Sequence, residues 1–411
     1  MQIHYDAIIV GAGPAGTTAA ILLAQAGWAV ALVEKQRFPR RKVCGECVAA
    51  TNLPLIDALG VGSAFEALAG PQLRQVALMH SDESICADLP PALAPHRWGR
   101  ALGREYLDAL LLNRAKEAGA SVLQPWAVHA IRGRSGAFQC DAGAIDSDAT
   151  AVLEAPVLIA AHGSWELAPS SDDAQRWPQR AGDLFAFKAN FNGANLADGL
   201  LPVLAFPGGY GGMVVGNDGI MTLACCIRRD RLSACRKQMS GLGAGDVVES
   251  YLKASCSGVQ QALAGAKRDG KWLSVGPIRP GIRMPRDGGN LFMVGNAAGE
   301  AHPIIGEGIS MAMQSSWLLC ERLRMHRKTI LAGGAQRQIR REYASAWRRN
   351  FASRIHFAAL LANLAMRPGL ASGLLPVLRV WPAAFTHAAR WSGKVKSVTR
   401  IQVSQTTPFR G

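Results

Sequence analysis

Residues 6–34 read DAIIVGAGPAGTTAAILLAQAGWAVALVE, and this stretch decides the fold of the N-terminal part of the chain. The apolar run over 6–10 is typical of a buried strand in a parallel sheet. A glycine-rich turn, a helix of small and apolar residues over 17–27 and a second apolar strand over 29–33 come next in order. This order predicts a βαβ unit that ends at Glu34.

The turn between the first strand and the helix has the spacing GxGxxG. Gly11 permits the tight turn, Gly13 lets the backbone approach a pyrophosphate, and Gly16 lets the helix pack against the strand. The helix N-terminus presents free N–H groups to phosphates, and a carboxylate at Glu34 can accept hydrogen bonds from ribose hydroxyls. The unit therefore predicts a dinucleotide site, without distinguishing FAD from NAD. The predicted cofactor contacts here are Gly11, Gly13, Pro14, Ala15, Gly16, Glu34 and Lys35.

The composition is that of a globular protein of two to three domains, with 411 residues of which 49% are hydrophobic. The formal net charge is +15, but no helix-turn-helix, zinc-finger or RNP-type pattern accompanies it, so we expect no nucleic-acid partner. Nine irregularly spaced cysteines predict a reducing, cytoplasmic compartment, with no disulfide framework and no metal site. The uncharged run 7–33 is long enough to span a bilayer, but its glycines and proline favour the βαβ interpretation.

A second motif begins with NLFMVGNAAG at 290–299 and continues to GEGI at 306–309, ahead of a predicted helix over 309–325. It resembles the second FAD fingerprint of the p-hydroxybenzoate hydroxylase-like FAD-dependent oxidoreductases, which include aromatic monooxygenases, flavin-dependent halogenases and geranylgeranyl reductases. In that superfamily an acid after the first glycine binds the ribityl chain, and here Asn296 replaces it. The resemblance implies FAD as cofactor, with contacts from Gly295, Asn296, Pro303, Gly306, Glu307, Gly308 and Ile309.

Two further segments resemble parts of the same superfamily. Residues 102–111, LGREYLDALL, are similar to a helix whose arginine lies near the flavin or its phosphates, which implies that role for Arg104; a surface charge on an amphipathic helix is the alternative. Residues 156–164, PVLIAAHGS, resemble a strand that in aromatic hydroxylases precedes an Asp-Gly pair. His162 stands in place of that Asp, before Gly163, and is either a phosphate contact or an ordinary turn residue. The replacement weakens the case for hydroxylase-type use of NAD(P)H.

Residues 37–48, RFPRRKVCGECV, resemble the F-P-R-x-K-x-C-G-E segment of the geranylgeranyl reductase-like branch, which also contains polyketide-pathway oxidoreductases. In the family this segment crosses the FAD, and its Cys-Gly-Glu lies near the isoalloxazine ring. The resemblance implies FAD contacts from Arg41, Cys44 and Gly45, and makes Cys44 and Glu46 catalytic candidates. The basic residues 40–42 can neutralise phosphates of FAD or NADPH. Cys44 and Cys47 form a C-x-x-C pair, for which we favour a role in packing or flavin contact over a redox-active dithiol.

The resemblance implies an α/β fold: a Rossmann-like, glutathione-reductase-like FAD-binding domain with an inserted antiparallel-sheet substrate domain and a C-terminal helical region. We expect the FAD-binding domain to comprise 1–75, 100–165 and 275–325, the substrate domain 76–99 and 166–274, and the helical region 326–411. Strand-like runs at 183–191, 201–206 and 213–227 fit the inserted sheet, with the GGYGG of 208–212 as a turn between strands.

The last region is predicted to be helical over 335–366, basic at first and then apolar, with Pro368, Pro376 and Pro382 breaking the chain after that helix. A helical cap on the FAD-binding domain is the plain interpretation. The alternatives are a cover over a lipid-like substrate, peripheral contact with a membrane, or a dimer interface. The sequence carries no signal for a particular oligomeric state.

Flavin can transfer a hydride or activate oxygen, so three functions are open. A monooxygenase that hydroxylates an aromatic or polyketide-derived, partly lipidic molecule is favoured. A reductase of isolated C=C bonds, like geranylgeranyl reductases, is the first alternative, and a non-catalytic flavin carrier is the second. The W-x-W-x-I-P pattern of tryptophan halogenases is absent, and without a second GxGxxG any NAD(P)H is expected to bind transiently. His302 is a catalytic candidate because it precedes Pro303, which in the family lies over the flavin ring.

Overall fold

The computed structural model describes residues 2–91, 97–164, 178–381 and 383–389. Parts of the predicted substrate domain and C-terminal region, at 92–96, 165–177, 382 and 390–411, lie outside the described residues. The strands are β1 (Gln2–His4), β2 (Ala7–Val10), β3 (Val30–Val33), β4 (Cys47–Val48), β5 (Gln75–His80), β6 (Glu83–Asp88), β7 (Arg100–Ala101), β8 (Ser121–Leu123), β9 (Trp126–Arg134), β10 (Ala137–Ala144), β11 (Thr150–Ala155), β12 (Val157–Ala160), β13 (Leu184–Asn192), β14 (Leu200–Phe206), β15 (Gly209–Val215), β16 (Met221–Arg228), β17 (Lys267–Ile278), β18 (Gly281–Ile282), β19 (Phe292–Met293) and β20 (Gly299–Glu300). The helices are α1 (Pro14–Gln25), α2 (Leu53–Ala58), α3 (Gly62–Leu68), α4 (Arg104–Glu117), α5 (Arg229–Gln238), α6 (Ala244–Ser255), α7 (Ser257–Ala262), α8 (Gly308–Met325), α9 (Arg327–Leu331), α10 (Gln336–Ala365), α11 (Pro368–Val380) and α12 (Ala383–Ala389).

The first core is a five-stranded parallel sheet in the order β19-β12-β2-β3-β8. Every residue of β2, β3 and β12 is buried, because both faces of this sheet are covered. Residues of one face pack with α1, α4 and α8. Those of the other face pack against a second sheet, β1-β11-β10-β9. The predicted βαβ unit is confirmed as β2-α1-β3, with α1 beginning at Pro14.

The second core is a seven-stranded sheet in the order β17-β13-β16-β15-β14-β5-β6. It is antiparallel except between β14 and β5, and it joins strands from two separate stretches of chain, as expected for an inserted domain. Side chains alternate between its faces: Met79 and Phe206 pack against α5–α7, whereas Leu78 and Ala205 point to the opposite face. The adjacent Cys225 and Cys226 divide between the two faces in the same way.

Two local predictions are wrong. The GGYGG segment is not a turn, since only its first glycine precedes β15, which contains the other four residues. A Cβ at Gly211 would lie 2.7 Å from the Ala224 carbonyl oxygen, so this glycine permits close approach of neighbouring strands. Pro376 does not break a helix but lies inside α11, which packs against β6 and β14. These tertiary contacts hold the helix despite the missing N–H.

The C-terminal region joins the two cores. Along α10, Tyr343, Trp347 and Phe351 are buried with the core that contains the five-stranded parallel sheet. Nearer its end, Ala362 and Ala365 are buried with residues of the seven-stranded sheet. Within the described residues no single helix is long and apolar enough to cross a membrane, although α10 and α11 together meet that length and composition across a 98° bend.

A buried ion pair fixes the segment after Phe38 against the seven-stranded sheet. The Glu46 backbone is left-handed, with φ of +59°, and its carboxylate accepts hydrogen bonds from Lys188 of β13 and, at 2.6 Å, from the Thr222 hydroxyl of β16. The backbone N–H of Arg104 donates to the same carboxylate at 3.0 Å. Glu46 and Lys188 are 3% and 0% exposed, so the charges depend on each other for compensation.

We expect Glu46→Gln to lower the free energy of unfolding by about 3–5 kcal/mol, because it leaves the Lys188 ammonium buried without a counter-charge. Lys188→Met strands the carboxylate and should have an effect of similar size. The double variant removes both charges and should be markedly less destabilised than the sum of the two single variants. Urea unfolding of the four proteins measures this coupling, and strictly additive losses would contradict the ion-pair account.

Candidate active site

A cavity of about 2270 Å³ lies where the two cores face each other. Typical small-molecule sites enclose roughly 300–1,000 Å³, so this volume accommodates a cofactor and a second ligand. On one side it is lined by the residues that come after β2, β3, β12 and β19, at the carboxyl ends of the parallel strands. The opposite wall is the open face of the seven-stranded sheet, and residues of α10–α12 contribute a third, apolar wall.

The glycines of the first motif form a cradle in which Gly11 and Gly16 leave no room for a side chain. Gly11 has φ of +104°, and a Cβ there would lie 2.5 Å from the Ala161 carbonyl oxygen. At Gly16 a Cβ would lie 1.8 Å from the Gly11 carbonyl oxygen, so Gly16 serves helix packing and Gly13 borders the cavity. Glu34 is buried at the end of β3 and accepts a hydrogen bond from Ala12 N–H at 2.9 Å. This shape and polarity fit a dinucleotide.

Three cations beside this cradle, Arg40, Lys42 and Arg104, would suit an anion. Burial, followed by the charges of Arg104 and Arg40, lowers the pKa of Lys42 to about 8. Burial also lowers the pKa of Arg40, whose carboxylate neighbours Glu34 and Asp108 are each 3.7 Å away. The Nε and Nη1 atoms of Arg40 are buried without a hydrogen-bond partner among the described residues. A diphosphate in the cradle would satisfy both the charge and these donors.

Arg41, the arginine that the resemblance selected, has other partners. Its guanidinium bonds Glu105 of α4 and Asp269 of β17, and so links the two cores. It lies on the rim of the cavity and is more exposed than its neighbour Arg40. Arg40 is therefore the better candidate for a phosphate contact. The sequence indicated only that residues 40–42 are basic and did not distinguish Arg40 from Arg41.

Arg104 is not a surface charge, since it is 6% exposed and lines the cavity beside Gly13. It forms two hydrogen bonds of 2.7 Å to Asp108, one turn along α4. Burial opposes the charged form, but Asp108 and the Cys44 thiol outweigh it, so the pKa of Arg104 is raised. The guanidinium therefore remains charged and fixed in place.

The second motif meets the first at Gly295, where φ is +60° and a Cβ would lie 2.9 Å from the Ala15 Cβ. The amide of Asn296 donates to the Ser164 hydroxyl at 3.1 Å, and that hydroxyl donates to Glu300 at 2.9 Å. Asn296 is thus oriented at the cavity wall, where the ribityl chain is expected. His162 and Gly163 also line the cavity, which favours ligand contact over an ordinary turn.

Glu307 faces the protein interior, whereas the flanking Gly306, Gly308 and Ile309 line the cavity. It is fully buried before α8 and interacts electrostatically with Arg354 of α10, which is 2% exposed. Burial lowers the pKa of Arg354, while Glu307 raises it. Sequence reasoning missed Arg354 because nothing in the motif indicates a partner this far along the chain.

Cys44 and Gly45, for which the resemblance implies FAD contacts, both line the cavity. The two thiols of the C-x-x-C pair have different partners: Cys44 Sγ accepts from Glu46 N–H, and Cys47 Sγ donates to the Gly45 carbonyl oxygen, both at 3.3 Å. Both cysteines are free thiols. Because its carboxylate is held by Lys188, Glu46 is better assigned to positioning this segment than to a catalytic step.

His302 does not itself line the cavity, but it contacts a residue that does. Its Nδ1 lies 2.9 Å from the hydroxyl of Tyr210, and the two rings meet edge to face at 5.9 Å. Tyr210 lies on β15 and lines the cavity, as do Pro303 and Cys226. Burial lowers the pKa of His302 to about 4, so the imidazole is neutral at pH 7. Sequence reasoning missed Tyr210 because it read the GGYGG segment as a turn.

Comparisons with known proteins agree with this geometry. Residues 4–183 match the family model described as an FAD binding domain. The chain is 26% identical to the tryptophan 2-halogenase of Chondromyces crocatus, over 79% of this chain and only 61% of that longer protein. It is 27% identical to a digeranylgeranylglycerophospholipid reductase of Methanoculleus marisnigri, over 85% of this chain and 83% of that protein. Flavin-dependent brominase Bmp2 superposes with a TM-score of 0.77 at 18% identity, covering 95% and 94% of the chains.

We expect Arg40→Gln to weaken FAD binding by about tenfold or more, because charge-assisted hydrogen bonds to phosphate contribute roughly 1.5–3 kcal/mol. Fluorescence titration of the apoprotein with FAD measures the dissociation constant. Arg37→Gln is the matched control, since Arg37 pairs with Asp146 at an exposed position. Equal affinities in the Arg40 and Arg37 variants would argue against a phosphate contact at Arg40.

His302 should also make stability depend on pH. Its pKa is about 4 in the folded protein against an ordinary 6.5, so the unfolded chain binds more protons at this site between those values. Stability is therefore fully present above pH 6.5 and is lost as the pH falls toward 4. We expect wild type to lose about 2 kcal/mol more than His302→Gln between pH 7.5 and pH 5. His129→Gln, at an exposed site on β9, should behave as wild type in the same unfolding series.

Proposed function

We propose that this chain, an FAD-dependent oxidoreductase whose residues 4–183 match an FAD binding domain, is a monooxygenase of a long, largely apolar molecule with an aromatic end. When bound, FAD supplies hydride acceptance from NAD(P)H and oxygen activation. NAD(P)H itself is proposed as a transient reductant. The chain's residues then have to orient the substrate, exclude water and move a proton.

The observation that carries the proposal is the Tyr210–His302 pair, in which Tyr210 lines a large and mostly apolar cavity and His302 lies behind it. Hydroxylation of a phenol-like ring is favoured when the phenol hydroxyl loses its proton, because the phenolate makes the ring more electron-rich. The Tyr210 hydroxyl is placed to accept a hydrogen bond from such a ligand, and the neutral His302 behind it can take up a proton. The length of the substrate is supported by the wall that Leu361, Leu364 and Leu378 contribute.

Reduction of an isolated C=C bond is the second candidate. It is favoured by the relative from Methanoculleus marisnigri, which matches most of both chains and is named a reductase of an isoprenoid lipid. Cys44 and Tyr210 both line the cavity, and either can donate the proton that this reaction requires. The apolar wall suits an isoprenoid chain equally well.

The deciding experiment incubates FAD-loaded protein with NADPH and air and a panel of alkylphenols and polyprenyl compounds, and measures product mass. Gain of one oxygen atom is the expected result. Gain of two hydrogens would replace the proposal by C=C reduction, and a halide-dependent gain of chlorine or bromine would replace it by halogenation. Consumption of NADPH without product from any compound would favour the carrier function.

Within the same assay, Tyr210→Phe should lower the rate of product formation by about a hundredfold, the usual scale for loss of a positioned proton-transfer group. FAD binding should be largely retained, because the substitution removes one hydroxyl, which bonds His302, and leaves the phosphate contacts of the glycine cradle in place. Tyr106→Phe is the control, since Tyr106 is 39% exposed on α4. Unchanged turnover in the Tyr210 variant would remove this residue from the mechanism.

A further inference from the structure

Four arginines outside the cofactor cradle share one part of the cavity wall. They are Arg180, Arg229, Arg279 and Arg283, and the acids among them on the wall are Asp183 and Glu300. The set therefore carries two positive charges more than negative ones. Phosphate and carboxylate groups are the ligands that clustered guanidinium groups recognise best.

Contacts among these residues show that they form one cluster. Asp183 accepts a hydrogen bond from Arg180 N–H at 3.0 Å and pairs with Arg229 at 3.3 Å. The pKa of Asp183 is lowered by that Arg180 N–H first and then by Arg229 and Arg279, so Arg279 lies close to the same carboxylate. The Nε of Arg229 is buried and has no hydrogen-bond partner among the described residues.

The cluster continues to the cofactor motif. Arg283 donates to the carbonyl oxygen of Arg279 at 2.9 Å and to Glu300 at 3.0 Å. Glu300 accepts from Ser164, which holds Asn296. The arginines therefore begin beside the expected ribityl chain and extend, through Arg229 at the start of α5, to the edge of the seven-stranded sheet.

We propose that Arg180, Arg229, Arg279 and Arg283 form an anion site for the second ligand of the cavity, which receives a phosphate or carboxylate group. Resting on the proposed function, this makes the substrate amphipathic, with an anionic head at the arginines and an apolar body along the wall of α10–α12. The same anion chemistry is also present in the diphosphate of NAD(P)H, the proposed reductant. The apolar wall favours the substrate as the source.

The test uses binding, so it does not depend on turnover. FAD-loaded protein is titrated with octyl phosphate and with octanol, and the shift of the flavin absorbance band reports binding. Wild type should bind octyl phosphate at least tenfold more tightly than octanol. Arg229→Gln should weaken octyl phosphate binding by about tenfold and leave octanol unchanged. Arg231→Gln, whose side chain bonds Tyr251 away from the cavity wall, is the matched control.

A second arm identifies the source of the anion. Anaerobic flavin reduction by NADPH alone is followed by stopped flow in the same three proteins. An Arg229 effect on octyl phosphate binding but not on NADPH supports the substrate head. An effect on NADPH alone keeps the anion site but reassigns it to the reductant, and no effect in either arm overturns the site. Because neither readout requires product, failure here is distinguishable from failure of the monooxygenase proposal.

Discussion

The site depends on the contact between two glycine-containing turns at the carboxyl ends of the parallel strands. Gly11, Gly16 and Gly295 leave no room for a Cβ: at Gly295 it would meet Ala15 of α1, and at Gly11 it would meet Ala161 at the end of β12. The turn after β19 can therefore lie directly against α1, and the first turn directly against the end of β12. Larger residues would separate the first motif from the second, and the two would no longer border one cavity. Glycine permits this approach of backbone to backbone, and it brings the two predicted cofactor motifs to one cavity.

Charged side chains surround the cradle that the glycines form. Around the cradle, Arg40, Lys42 and Arg104 are held close together although burial opposes the charged form of each, and repulsion between cations adds to this for Arg40 and Lys42. Such an arrangement costs stability in the absence of an anion and favours binding when an anion is supplied. Glu46 has the opposite role, because its charge is matched inside the protein by Lys188. The segment 40–46 therefore contains cations that would suit an anionic ligand, and one carboxylate, Glu46, that stabilises the fold.

Sequence patterns predicted the parts of this molecule whose physics is local. The strand, the GxGxxG turn and the helix of β2-α1-β3 occur within thirty residues, so the sequence was sufficient to predict them. The second motif could be predicted because its strand, turn and helix are also consecutive. The roles of Arg354 and Lys188 could not be predicted, because in a sequence a buried charge looks like a surface charge until its distant partner is known. Tyr210 was missed because glycines typical of a turn serve here to bring strands together.

The helix α10 contacts both the start of α8 and the apolar wall of the cavity. Arg354 of α10 lies beside Glu307, directly before the helix whose N-terminus borders the cavity, and the same α10 supplies Leu361 and Leu364 to the apolar wall. A shift of α10 that widened the apolar wall would also move a buried charge near the start of α8. Helix position alters the local potential at a helix terminus. One helix therefore carries both the buried Arg354 and part of the apolar wall, so a displacement of α10 would act on both.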